Sequence, residues 1–151
     1  MIIRIEVDEK IEENEVIVKC NKLSEEVLEF QKMLTELLPR RKQIIFYKGE
    51  TEYYLSLDKI IFFETEENGI SAHTIENVYQ VKYKLYELEE LLPKHFMRVS
   101  KSTILNIDRI YSITRNISAS SAVEFQNTHK QVYVSRYYYN SLKSKLKEKR
   151  K

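Results

Sequence analysis

The sequence predicts a mainly β chain with short helices: an antiparallel β-domain preceded by a small ββα extension. Three observations predict it. From Gln43 onward, apolar residues recur mostly at every second position, the period of half-buried strands. Turn signals interrupt those runs at short intervals, at Gly49, Asn68-Gly69, Glu76-Asn77 and Asn127-Thr128-His129. Runs with helical spacing are few and short, and Pro39 and Pro93 each stop one by restricting the residue before it.

The bulk numbers agree with this. A chain of 151 residues makes one domain, or one domain with an appendage. An apolar fraction of 42%, with eleven Tyr and six Phe, supports a packed core with wet edges. Two Gly and two Pro argue against a loop-rich or disordered chain. No apolar run approaches the roughly 20 residues that span a bilayer. Met1-Ile2-Ile3-Arg4-Ile5-Glu6 lacks the long apolar core and cleavage site of a signal peptide. The single Cys20 has no internal disulfide partner, and a cytoplasmic protein is the simple inference.

In chain order, residues 1–40 read as two strands and a helix. Ile3, Ile5 and Val7 alternate with polar residues, and Val16, Val18 and Cys20 do so again after an acidic loop. Ser24 is placed as an N-cap, with Glu25 and Glu26 in the first turn and Leu23 and Leu28 spaced as a hydrophobic staple. Val27, Phe30, Leu34 and Leu37 make the stripe of a helix over Ser24–Leu38. That stripe suits packing on the two strands or on a second copy. Arg40-Arg41-Lys42 is a basic joint, so the boundary is set between 1–40 and 41–151.

Beyond the joint, Ile44 to Lys48 and Tyr53 to Ser56 read as strands. A turn over Leu57 to Lys59 follows, with Ser56 as its cap. Ile60 to Thr65 is a strand apolar on both faces, and Asn68-Gly69 turns it into a hairpin. Val78 to Tyr83 is the next strand, and Leu85 to Leu92 a short acidic amphipathic helix. Phe96 to Val99 is extended, Ile104 to Asp108 is expected to turn, and Arg109 to Thr114 is a strand. Val123 to Gln126 and Gln131 to Val134 form a last hairpin. Ser135 caps a terminal helix whose buried stripe uses Tyr138 or Tyr139, Leu142 and Leu146. The two consecutive amphipathic helices of a helix-turn-helix are missing.

Net charge is only +2, but its distribution is uneven. Residues 93–151 hold 13 basic side chains and three acidic ones, Asp108, Glu124 and Glu148. Residues 1–40 and 41–92 each hold 6 basic and 10 acidic ones. Basic residues still outnumber acidic ones in the last part when the terminal run 143–151 is set aside. One end of the sequence therefore favours a polyanion.

Enzymatic chemistry finds little to use. His73, His95 and His129 lie far apart, and Cys20 has no partner at ligand spacing, so no metal site is expected. There is no Gly-x-Ser-x-Gly elbow and no Gly-rich phosphate loop, so neither catalysis nor a cofactor is expected. Glu66 and Glu67 beside the hairpin turn read as solvated.

The stretch Phe96 to Asn106 is different. Its polar residues are Arg98, Ser100, Lys101, Ser102, Thr103 and Asn106, with no acid. Such residues donate to phosphates and base edges. Arg136 follows a strand and the Ser135 cap, where its guanidinium suits two-pronged contact with guanine and the helix start suits a phosphate. An ordinary wet strand and a surface ion pair are the plain alternatives.

Arg98-Val99-Ser100-Lys101-Ser102-Thr103-Ile104-Leu105-Asn106, then Ile110 opening a strand, then Val132-Tyr133-Val134-Ser135-Arg136-Tyr137 opening a helix, resemble the LytTR DNA-binding domain of bacterial transcription regulators. Leu57-Asp58-Lys59-Ile60-Ile61-Phe62-Phe63-Glu64 resembles that family's turn into a strand ending in an acid. The resemblance spans about Gln43 to about Leu146. It implies elongated antiparallel sheets whose loops enter the major groove, on paired direct repeats bound as a dimer. It implies base contacts from Lys101, Arg136 and, loosely, Asn68. Arg98, Ser100, Ser102, Lys130, Tyr137 and Asn140 are candidates for backbone contacts. Many members of that family carry an N-terminal receiver domain with a phosphorylated Asp; forty residues are too few for one, so a stand-alone regulator is expected. The resemblance implies double-stranded DNA as partner and, as in many stand-alone members, an inhibitory membrane protein. The alternatives are a protein-interaction or RNA-binding module using the basic C-terminal face, and an unrecognised hydrolase.

Overall fold

The computed structural model describes residues 1–12, 14–37 and 43–149. The expected helix end at Leu38-Pro39, the basic joint Arg40-Arg41-Lys42 and the last two residues of the terminal run lie outside them. The chain divides into two units, Met1–Arg40 and Arg41–Lys151.

In the first unit, one helix forms, α1 (Glu25–Leu37). It starts as expected: the Ser24 hydroxyl accepts the Val27 N–H at 3.3 Å, and the Ser24 carbonyl accepts that of Leu28. The two expected strands are not formed among the described residues of 1–23. Ile3, Ile5, Val7, Val16, Ile17 and Val18 remain exposed, and α1 itself buries no residue. Alternation marks a segment that has two unlike faces. It does not supply the neighbouring strand whose N–H and C=O groups a ladder needs.

Among the described residues, the second unit has ten strands and two helices. In order they are β1 (Phe46–Lys48), β2 (Thr51–Tyr53), β3 (Phe62–Glu66), β4 (Gly69–His73), β5 (Val78–Val81), α2 (Leu85–Leu91), β6 (Phe96–Arg98), β7 (Thr103–Asn106), β8 (Ile110–Thr114), β9 (Ser121–Phe125), β10 (Gln131–Val134) and α3 (Arg136–Lys149). Single 3-10 turns occupy Leu57–Lys59 and Ile107–Arg109. The strands form a seven-stranded sheet in the order β2-β1-β5-β4-β3-β7-β6 and a three-stranded sheet in the order β10-β9-β8. All pairings are antiparallel.

Both faces of the larger sheet are covered. Phe63 and Ile104 point to a core with Phe46, Tyr79, Leu85, Leu88 and Phe96, where α2 packs. Their chain neighbours Phe62 and Leu105 point to a second core with Val123, Phe125, Val132, Val134 and Leu142, from the smaller sheet and α3. This is why β3 is apolar on both faces. It is also why Ile104–Asn106, the first half of the turn expected over Ile104 to Asp108, belongs to strand β7, and the turn itself falls at Ile107–Arg109. All four residues of β7 are buried between β3 and β6, so no polar alternation advertises it.

The turns are set by local chemistry. Gly49, at φ 57°, closes β1 on β2. The β3–β4 hairpin turns on Glu67 and Asn68, one residue earlier than expected. Gly69 is already paired with Glu66 and sits at φ 126°, where a side chain is strained. The Ser56 side chain makes no cap bond; its carbonyl accepts the Lys59 N–H instead. Glu87 reaches back to accept the Lys84 N–H at 3.0 Å and fastens the start of α2. Buried Asn106 donates to the Ile60 carbonyl and accepts the Asp108 N–H, both at 3.0 Å, tying β3, β7 and the second 3-10 turn together.

Candidate nucleic-acid interface

The loop Val99–Thr103 joins β6 to β7. The Val99 N–H donates to the Thr103 carbonyl at 3.0 Å and closes it. The Ser100 hydroxyl accepts the Ser102 N–H at 3.2 Å. Arg98 spans the loop from below: Nε donates to the Ser100 carbonyl at 3.0 Å and Nη2 to the Lys101 carbonyl at 2.7 Å. Its Nη1 pairs with Glu89 of α2 at 2.8 Å. Lys101 and Ser102 are exposed on the frame so formed.

The start of α3 is bonded to the same loop. The Ser135 N–H donates to the Val99 carbonyl at 2.9 Å, and the Ser135 carbonyl accepts the Tyr138 N–H. Arg136 and Asn140 are exposed, and Tyr137 is 84% exposed. Tyr137 packs edge-on against Tyr138, whose ring is anchored in the second core. The tip of the β3–β4 hairpin reaches the loop from the other side: the Thr65 N–H donates to the Ser102 carbonyl at 2.8 Å. Asn68 is exposed in that hairpin's turn, beside Glu66 and Glu67. The three segments that hold Asn68, Lys101 and Arg136 are thus joined through one loop by main-chain hydrogen bonds.

Two of the sequence-selected cations are occupied. The Arg98 guanidinium is committed to its own loop and to Glu89. The Lys130 ammonium donates to the carbonyls of Thr74 and Asn77 at 2.9 and 3.0 Å, pinning the turn between β4 and β5, and burial lowers its pKa. On α3, Lys143 and Lys147 are exposed, while Lys149 pairs with Asp108.

One cluster was not legible in the sequence. Glu64 and Glu66 share a face of β3, and Ser71 and His73 share the facing side of β4. Donor atoms of Glu64, Glu66 and His73 lie within 4.8 Å of one another. The Ser71 hydroxyl lies 3.0 Å from Glu66 Oε1 and 3.1 Å from His73 Nε2. His73 stacks on Phe62 at 4.2 Å between centroids, and its buried Nδ1 has no hydrogen-bond partner. Burial, with the charge of Lys130, pushes the imidazole down to about 4 against the pull of Glu66. Burial and the neighbouring Glu66 raise the Glu64 carboxyl. The available signal was a Glu-x-Glu on one arm of a hairpin and a Ser-x-His on the other.

An open groove of about 640 Å³ lies between α2, β6 and α3, lined by residues including Leu92, Phe96, Met97 and Tyr138. Its lining holds no His, and its one acid, Glu89, is ion-paired to Arg98.

Comparison with known proteins places the fold in a family. The LytTr DNA-binding domain model matches residues 50–147. Uncharacterized HTH-type transcriptional regulators of Staphylococcus aureus, among them those of strains NCTC 8325 and N315, are 28% identical over 109 residues, covering 72% of this chain and 74% of theirs. In this chain α2 and α3 are separated by five strands, so these two do not form a helix-turn-helix. A solved LytTr DNA-binding domain from Bacillus cereus superposes with a TM-score of 0.61 at 26% identity, covering 70% of this chain and 96% of that one.

Proposed function

Because the chain belongs to the LytTr DNA-binding domain family, we propose that it reads direct repeats in the major groove through the Val99–Thr103 loop, the β3–β4 turn and the start of α3. Membership makes it a DNA-binding regulator of transcription, not an enzyme. The finer reading rests on one observation: the Ser135–Val99 and Thr65–Ser102 main-chain bonds gather the three segments around a single loop.

In this reading Lys101 and Arg136 contact bases, since each is exposed on a backbone that is hydrogen-bonded in place. Asn68 contacts a third base, opposed by the charges of Glu66 and Glu67. Ser100, Ser102, Tyr137 and Asn140 hold phosphates. Arg98 and Lys130 act one step back, by holding the loop and the β4–β5 turn. Binding as a homodimer on paired half-sites uses α1 for pairing or sensing, and Leu28, Met33 and Leu37 are exposed on it. Control by a membrane-protein partner rests on the family resemblance alone. DNA as partner implies the cytoplasm, and no helix among the described residues is long and apolar enough to cross a membrane.

The test is fluorescence anisotropy on the DNA upstream of the protein's own gene and on a shuffled duplex, at several salt concentrations. Tighter binding to the first, with a log–log salt slope of several units, is expected. Equal binding to both would replace sequence reading with non-specific polyanion binding.

A further inference from the structure

We propose that Glu64, Glu66 and His73 form a binding site for one divalent first-row metal ion on the arms of the β3–β4 hairpin. The donor set is two carboxylates and an imidazole, which suits Zn²⁺ or Mn²⁺. The three donor atoms already lie within 4.8 Å of one another. Ligands about 2.1 Å from a shared ion stand roughly 3–4 Å apart, so closing needs about an ångström of side-chain movement. Glu66 is exposed and can supply it.

Three further observations favour a cation here. Among the described residues no Lys or Arg ion-pairs with Glu64 or Glu66. The His73 ring is fixed by stacking on Phe62, with Nε2 3.9 Å from Glu66 Oε1. The Lys130 ammonium is held on the carbonyls of Thr74 and Asn77.

The site would also act on DNA, and this part rests on the reading of the hairpin as a DNA-facing element. Glu64 pairs across to Thr103, at the end of the Lys101 loop, and Glu66 adjoins the turn that carries Asn68. A bound divalent ion cancels two negative charges that otherwise repel phosphates there.

The test is titration of Zn²⁺ into the full chain by calorimetry, in a Cys20→Ser background that removes the exposed thiol. Glu66→Gln and His73→Gln are compared with it. One site per chain is expected, weakened about tenfold or more in each variant. Glu66→Gln alters an exposed side chain and keeps the comparison valid if His73→Gln disturbs the Phe62 stack. No binding at millimolar Zn²⁺, or equal binding by parent and variants, overturns the site. Anisotropy on specific DNA with and without Zn²⁺ is read separately. Tighter binding in the parent but not in Glu66→Gln is expected. Unchanged affinity despite residue-dependent metal binding overturns the coupling to DNA while leaving the site standing. Absence of sequence-specific binding in metal-free buffer counts against the DNA reading alone.

Discussion

Arg98 donates from Nη2 to the carbonyl of Lys101 at 2.7 Å, so the side chain given the central base contact is held through its own backbone by a residue three positions earlier. A clamp and a phosphate contact predict different losses. Arg98→Lys should lower affinity for specific DNA by about 1–2 kcal/mol, because a lysine cannot make the fork of bonds to Ser100 and Lys101. The salt slope should stay the same. A slope lower by about one unit would show instead that Arg98 meets a phosphate.

Arg136→Ala should cost about 1–3 kcal/mol on the specific site and relax preference at one base pair. Anisotropy on single-position variants of the site reads this out. Equal losses on specific and random DNA would demote Arg136 to a backbone contact.

The depressed imidazole of His73 gives stability a pH dependence of known sign. An unfolded histidine titrates near 6.5 and this one near 4, so between those values the unfolded chain binds more protons. The contribution of His73 to stability is present above about pH 6.5 and is lost as pH falls towards 4. After allowance for the solvent-facing edge of the ring it amounts to about 2 kcal/mol. Urea unfolding between pH 7 and 4 should show this dependence in the parent and a flatter one in His73→Gln. Parallel curves would place the cause elsewhere.

Asn106→Ala should destabilise the second unit by about 2–4 kcal/mol. It leaves the Ile60 carbonyl and the Asp108 N–H without partners where Asn106 is 1% exposed. The midpoint of urea unfolding measures it. A change below about 0.5 kcal/mol would mean that water replaces the amide.

Removing residues 1–40 should leave a chain that unfolds cooperatively with an unchanged midpoint. Every buried residue of both cores lies between Ile44 and Leu142. Loss of cooperativity on truncation would show that the two parts share a core.

What the sequence made legible follows from which interactions write themselves into side-chain pattern. Strands with one wet face, such as Val78–Val81 and Gln131–Val134, alternate visibly, and the stripe through Leu142 marks α3. Of the turn expected over Ile104 to Asp108, the first half is strand, hidden because burial on both sides removes the polar half of the alternation, and the turn begins only at Ile107. The segments around Val7 and Val18 alternate without forming strands, because pattern records amphipathicity and not a partner. Lys101 and Arg136 can be proposed as base contacts from residue type and position alone. That their segments meet cannot, since the bonds joining them run between backbone atoms that every sequence possesses. That Arg98 and Lys130 donate to backbone carbonyls is hidden for the same reason: those acceptors leave no trace in composition.

The frame around Val99, Ser102, Thr65 and Ser135 is indifferent to the side chains it displays. On the proposed reading, a substitution at Lys101 or Arg136 changes which base is favoured without loosening what holds that position. Recognition can therefore drift one base pair at a time. Duplicated copies of such a chain can acquire separate targets through single substitutions while the scaffold stays as it was.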